Sequence, residues 1–259
     1  MDSEGVLQLF FESQVIPMVE SLKDKVSIVV GASSGMGRAT ATALAREGEK
    51  VMLAARREAK LNELKAELNA DGFTADACPT DSTRQTEVER LIATTLERFG
   101  RLDLLVYATG TNIPDRALDV LTPQTWQMML ATNLSGAFLC TKAAAATMRK
   151  QGGGLIVYLS TAAVQMPDVS GVAYQAGKHG LSGLAHGTRV EEKENGIRTT
   201  VIFPGLCDTE ILAKRPTPTP PEILELALDP ADVAEAVLFV ARLHPRAVVP
   251  ELQLLPSRL

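Results

Sequence analysis

The sequence predicts an α/β protein built on a doubly wound parallel sheet, and three observations carry that expectation. Short β-branched apolar runs alternate with amphipathic stretches along most of the chain. A glycine-rich turn, Gly31-Ala32-Ser33-Ser34-Gly35-Met36-Gly37, joins the first such run to the first helical stretch. At 259 residues, 46% hydrophobic and 22% charged, the chain is long and apolar enough to close around one large core.

The elements follow in order. Val26 to Val30 is a β-branched strand, and Arg38 to Glu47 is the helix that the glycine turn opens. Val51 to Ala55 gives a second strand, Glu58 to Leu68 a charged amphipathic helix, Phe73 to Pro79 a third strand and Thr83 to Arg98 a third helix. Leu102 to Ala108 is the fourth strand, and a long helix is expected from Pro123 to Met148. The strand Leu155 to Leu159, the helix Gly171 to Glu194 and the strand Arg198 to Phe203 come next. A helix over Asp229 to Ala241 and a strand near Val248 to Leu254 close the chain. Parallel strands joined through helices need right-handed crossovers, which cover both faces of the sheet. The expectation is therefore a Rossmann-type three-layer sandwich of about seven strands, a single domain over 23–259 behind an N-terminal extension over 1–22.

Composition excludes several function classes. A net charge of −5 argues against nucleic acid or an anionic membrane as the main partner, since both require clustered cations. Cys78, Cys140 and Cys207 are far apart and lack metal-ligand spacing, so neither a metal site nor a disulfide framework is expected. The N-terminus carries Asp2 and Glu4 in place of a basic leader, and no later run is apolar enough to span a bilayer. A cytoplasmic location is the resulting expectation. Val6, Leu9, Phe10, Val15 and Val19 lie on roughly helical spacing, broken by Pro17, and read as an accessory helix packed on the body or on a neighbouring subunit rather than as a membrane anchor. Lys214-Arg215-Pro216-Thr217-Pro218-Thr219-Pro220-Pro221 interrupts the strand–helix rhythm. Its place after a strand's carboxyl end favours a lid over 206–228, the alternative being a mobile surface loop. Lys214 and Arg215 there either receive an acidic substrate or face solvent.

Gly31 to Gly37 follows a strand and opens a helix, where free N–H groups and the helix dipole can hold a pyrophosphate. Gly31, Ser33, Ser34, Gly35, Met36 and Gly37 are thus candidate dinucleotide contacts. Sites that prefer NAD place an acid after the second strand to hold the ribose 2′-hydroxyl. Here Ala54-Ala55-Arg56-Arg57 stands instead. Arg56, together with Arg38 after the glycine turn, is expected to pair with a 2′-phosphate, which makes NADP(H) the expected cofactor.

Tyr174 and Lys178, four residues apart, share one face of a predicted helix. A nearby ammonium stabilises phenolate and turns a tyrosine into a usable acid or base. With the glycine turn before them, Asn133 in Thr132-Asn133-Leu134-Ser135-Gly136, and Pro204-Gly205 after them, the order and spacing resemble the classical short-chain dehydrogenases/reductases over roughly residues 24–255.

That resemblance implies that Tyr174 passes a proton to a substrate carbonyl oxygen while hydride arrives from the nicotinamide. It implies that Lys178 binds the nicotinamide ribose and lowers the Tyr174 pKa, and that Asn133, in a bent helix, holds a water in the proton relay. Asp81 matches the acid at the adenine, Gly110 lies near the nicotinamide ribose, and Pro204, Gly205 and Thr209 lie near the nicotinamide amide. The family serine thirteen residues before the tyrosine falls on Thr161, with Ser160 in reserve. A small carbonyl or alcohol is the implied substrate, and the closing Glu251-Leu252-Gln253-Leu254-Leu255-Pro256-Ser257 resembles reductases of small hydroxy acids and aldehydes. A homodimer or homotetramer through the two long helices is also implied.

Two positions depart from the family together. Val30 stands where a threonine is common, and Tyr107-Ala108-Thr109-Gly110 replaces Asn-Asn-Ala-Gly. The paired loss reads as an apolar repacking of the scaffold. A non-catalytic NADP-binding regulator is the alternative function that Thr161 leaves open, against the retained Tyr174, Lys178 and Asn133.

Overall fold

The protein is described from a computed structural model, which covers residues 20–259. The amphipathic extension expected over 1–22 lies outside these residues apart from its last three, of which Leu22 is buried. Seven strands form one parallel sheet in the order β3-β2-β1-β4-β5-β6-β7. They are β1 (Val26–Val30), β2 (Lys50–Ala55), β3 (Thr74–Pro79), β4 (Leu104–Tyr107), β5 (Gly154–Leu159), β6 (Ile197–Pro204) and β7 (Glu251–Leu254). All five residues of β1 and all four of β4 are buried, as expected of strands covered on both faces.

The helices are α1 (Gly35–Arg46), α2 (Glu58–Ala70), α3 (Gln85–Phe99), α4 (Pro123–Leu130), α5 (Gly136–Gln151), α6 (Val172–Glu192), the one-turn α7 (Pro221–Leu224) and α8 (Pro230–Ala241). One core, with Leu44, Leu61, Leu64 and Val237, lies under α1, α2 and α8. The other, with Leu91, Cys140, Met148 and Leu181, lies under α3, α5 and α6. Local chemistry sets several ends. Thr122 accepts from the Thr125 N–H at 3.1 Å, with Pro123 in the first turn of α4. Asp229 and Asp232 form a capping box ahead of α8.

The sheet order reverses between β1 and β4, and the chain must turn sharply there. Gly31 sits at φ 97°, donating to the Ala54 carbonyl at 2.7 Å, and a Cβ on it would stand 2.9 Å from the Ala108 carbonyl carbon. Gly37 lets the first turn of α1 close on that loop, since a Cβ there would meet the Gly31 oxygen at 2.2 Å. Glycine is therefore required by the close approach of backbone to backbone.

The expected helix over 123–148 is not continuous. A π-turn over Ala131–Ser135 separates α4 from α5 and inserts an extra residue into the helical register. The proline-rich stretch contains a 3₁₀ turn, Glu210–Lys214, and α7, between irregular segments.

One buried acid has no role in the site. Glu49 is 2% exposed just before β2, with Oε2 unpartnered among the described residues. Burial pushes its pKa up to about 7, Asp103 adds to that, and Ser27 and Lys25 oppose it. The native state binds the extra proton between the ordinary carboxylate value of 4.5 and about 7, so stability falls as pH rises through that window. Glu49→Gln is expected to remove up to about 3 kcal/mol of that pH dependence. Urea denaturation of both proteins across this range is the check, and parallel curves would contradict it.

Candidate active site

The carboxyl ends of β1, β4, β5 and β6 open into two cavities, of about 320 and 410 Å³. Met36, Ser160, Tyr174, Thr209 and Ile211 line both. Tyr174 thus stands at their junction, at the switch point of the sheet where ligands of such folds bind.

Helix α6 carries Tyr174 and Lys178 on one face, with the Lys178 Nζ 6.0 Å from the centre of the Tyr174 ring. Lys178 is 3% exposed, and its Nζ donates to the Leu159 carbonyl at 2.9 Å. Burial lowers its pKa to about 8. Burial raises the Tyr174 phenol to about 12, with Asp168 adding to the rise. The Thr161 hydroxyl, Arg116 and Arg215 pull it down. Arg116 and Arg215 thus act on the phenol from the cavity side, and the Lys178 ammonium lies on the helix face below it.

Of the two candidate hydroxyls, Thr161 faces the phenol. Ser160 is turned away, its Oγ donating to the Lys178 backbone carbonyl at 3.1 Å. Asn133 is fully buried in the π-turn. Its Oδ1 accepts from the Thr111 N–H at 2.9 Å, while Nδ2 donates to the Thr111 and Met129 carbonyls, each at 3.0 Å.

The larger cavity collects most of the expected dinucleotide contacts. Gly31 and the run Ser33 to Gly37 form one wall, with Arg56, Asp81, Gly110 and Thr209 around it. Asp81 is held by Thr83, whose N–H and Oγ1 donate to Oδ1 at 3.0 and 2.8 Å. Its pKa lies below the ordinary carboxylate range, with those bonds, Arg56 and Arg84 outweighing burial. Pro204 and Gly205 line the smaller cavity instead.

Arg38 is not among the residues that line the larger cavity. Its guanidinium turns away from the cleft to Glu67 at 2.5 Å and Glu63 at 3.6 Å, because α2 packs its acidic face beside α1. A second guanidinium at the cleft, beside Arg56, is that of Arg57. Its Nε donates to Ser33 Oγ at 3.1 Å, Nη2 to Ser34 Oγ and Nη1 to Glu210 at 2.8 Å. The signal was present in the Arg56-Arg57 pair, whose second member reaches back over the glycine turn. Arg116, in the smaller cavity, left no motif in the sequence.

The scaffold departure at Tyr107 is also not the apolar repacking expected. Its buried hydroxyl donates to the Thr132 carbonyl at 2.8 Å and lies 3.3 Å from Ser82 Oγ. The phenol of β4 thus grips the π-turn one residue before Asn133. Gly136 leaves room for it, since a Cβ there would stand 2.6 Å from the Tyr107 oxygen and 2.8 Å from Ser82 Oγ.

Fold and site together define a doubly wound α/β protein with a nucleotide-sized cleft and a Tyr/Lys pair at its switch point. The short chain dehydrogenase family model matches residues 25–219, and the chain belongs to that family. It is 34% identical over 218 residues to an uncharacterized oxidoreductase of Staphylococcus aureus, covering 84% of this chain and 91% of that protein. A metagenomic short-chain oxidoreductase solved in complex with NADP is 28% identical, over 92% of this chain and 99% of that one, with a TM-score of 0.80. An actinorhodin polyketide ketoreductase variant solved with NADPH is 27% identical, over 92% and 98%, with a TM-score of 0.83.

Gly136→Ala should cost about 1–3 kcal/mol by overpacking against the Tyr107 hydroxyl. Tyr107→Phe should cost about 1–2 kcal/mol by leaving the Thr132 carbonyl unpaired. Removing the hydroxyl also makes space, so the double variant is expected to be more stable than the two losses summed. Thermal denaturation of all four proteins decides this, and strict additivity would contradict the contact.

Proposed function

We propose that the protein is an NADP(H)-dependent oxidoreductase that interconverts a small carbonyl compound and its alcohol, with Tyr174 as the proton donor and acceptor. The observation that carries this reading is the position of Tyr174 between the two cavities, with the Thr161 hydroxyl at its phenol.

The cleft fits a phosphorylated dinucleotide. Its glycine turn offers backbone without Cβ atoms, and Arg57 lies across Ser33 and Ser34 with Arg56 beside it. Bound there, NADP(H) supplies or accepts the hydride. Solved relatives carrying NADP and NADPH support the choice of cofactor.

The chain's own groups do the rest. A phenol raised to about 12 is protonated at neutral pH and ready to give its Oη proton to a carbonyl oxygen. The Thr161 hydroxyl donates to the same oxygen and fixes its position. Lys178, dried by burial and oriented by the Leu159 carbonyl, keeps further N–H donors for ribose hydroxyls. Asn133 is a positioning residue that ties the loop at Thr111 to α4. Residues 206–228 act as the lid, which two polar links across the cleft mouth support, Glu210 to Arg57 and Lys214 Nζ to Thr111 Oγ1, both at 2.8 Å. Exposed Phe138 on α5 and Val190 on α6 support a homodimer or homotetramer through these helices.

Tyr174→Phe is expected to cut NADPH-dependent carbonyl reduction at least about hundredfold, while fluorescence titration still registers bound NADPH. Arg57→Ala should lower the preference for NADPH over NADH about tenfold or more, whereas Arg38→Ala should leave it within about twofold. Retained turnover in Tyr174→Phe, or a selectivity that follows Arg38, would contradict the assignment.

A further inference from the structure

The cavity of about 320 Å³ beyond Tyr174 carries two guanidinium groups and one carboxylate, those of Arg116, Arg215 and Asp168. Much of the remaining wall is apolar, with Met36, Met166, Leu206 and Leu255 among its residues. Arg116 comes from the loop after β4 and is built into place. Gly171 sits at φ 91°, and a Cβ on it would stand 2.9 Å from both the Cβ and the carbonyl oxygen of Arg116. Asn112 Nδ2 donates to the Ser170 carbonyl at 2.9 Å and locks the two loops together beside that contact.

Arg215 comes from the proline-rich segment, its Nη1 donating to Thr219 Oγ1 at 3.0 Å. Asp168 offsets part of this positive charge, acting on both Arg116 and the Tyr174 phenol, and leaves one guanidinium in excess. Its Oδ1 accepts from the Ser170 N–H at 2.9 Å, and the Arg116 Nε is buried with no partner among the described residues. Burial and then Arg215 hold the Arg116 pKa below its ordinary value, and both cations act on the Tyr174 phenol. Two cations that repel each other across a cavity, one with a buried donor unsatisfied, form a receptor for an anion. Guanidinium groups suit a carboxylate or phosphate through paired N–H donors.

We propose that this cavity takes a carbonyl substrate, or the matching alcohol, that also carries a carboxylate or similar anionic group, which Arg116 and Arg215 receive while the reacting carbon lies at Tyr174. The inference rests on the oxidoreductase reading and narrows its substrate class.

The test compares para-formylbenzoate with its methyl ester as substrates in the presence of NADPH. In parallel, para-(hydroxymethyl)benzoate and its methyl ester are titrated into the NADPH-loaded protein, with bound NADPH fluorescence as the readout. The acid is expected to exceed the ester at least about tenfold in kcat/KM and in affinity. Arg116→Gln and Arg215→Gln should each shrink that ratio at least about fivefold, mainly through KM, and Arg116→Lys should restore part of it. Equal reduction of acid and ester, with a ratio that neither variant moves, overturns the anion site and leaves the reductase reading standing. Acid-selective binding without turnover of either aldehyde overturns the reductase reading and keeps the anion site. Neither turnover nor acid-selective binding overturns both.

Discussion

The buried Asn133 amide is the contact on which the site depends. Its three hydrogen bonds tie the loop after β4 to the last turn of α4, at the point where the π-turn breaks the helix. Helix α6 closes on the same side chain, since a Cβ on Gly177 would stand 2.9 Å from the Cβ of Asn133. That approach brings Tyr174 and Lys178 to the carboxyl ends of the strands. Without the amide, the Thr111 N–H and C=O would lose their partners, an arrangement that costs more than the bonds themselves return. Tyr107 supports the turn from beneath through the Thr132 carbonyl.

The same closure sets the electrostatics. Drying Lys178 lowers its pKa to about 8, and drying the phenol raises Tyr174 to about 12. Both shifts favour the neutral form of the two groups. Arg116 and Arg215, on two loops that line the smaller cavity, draw the phenol toward ionisation. In the proposed reaction, the groups that receive the substrate's anion also act on the phenol that transfers the proton.

Much of this was legible in the sequence. Every strand was placed to within a few residues, because parallel strands buried on both faces are continuous apolar runs bounded by glycine, proline or charge. The resemblance carried by the order and spacing of the motifs pointed to Tyr174, Lys178 and Thr161, and the first two share one face of α6. The π-turn was not legible, since the apolar pattern of 123–148 continues through it and one extra residue leaves no compositional mark. The reach of Arg57 over the glycine turn was not legible, since both Arg38 and Arg57 lie near that turn and only their packing shows that one pairs with α2 and the other with Ser33, Ser34 and Glu210. The Tyr107 hydroxyl and Arg116 depend on contacts between residues far apart in the chain, which periodicity does not encode.

The most direct test of this assembly is the single-turnover rate of NADPH oxidation by Asn133→Ala, with protein loaded to saturation and para-formylbenzoate as substrate. If the amide assembles the site, the rate falls at least about tenfold even at full NADPH occupancy, because a small displacement of reacting groups is costly. A wild-type rate at that occupancy would contradict the assembly, and with it the derivation of the chemistry from this buried contact.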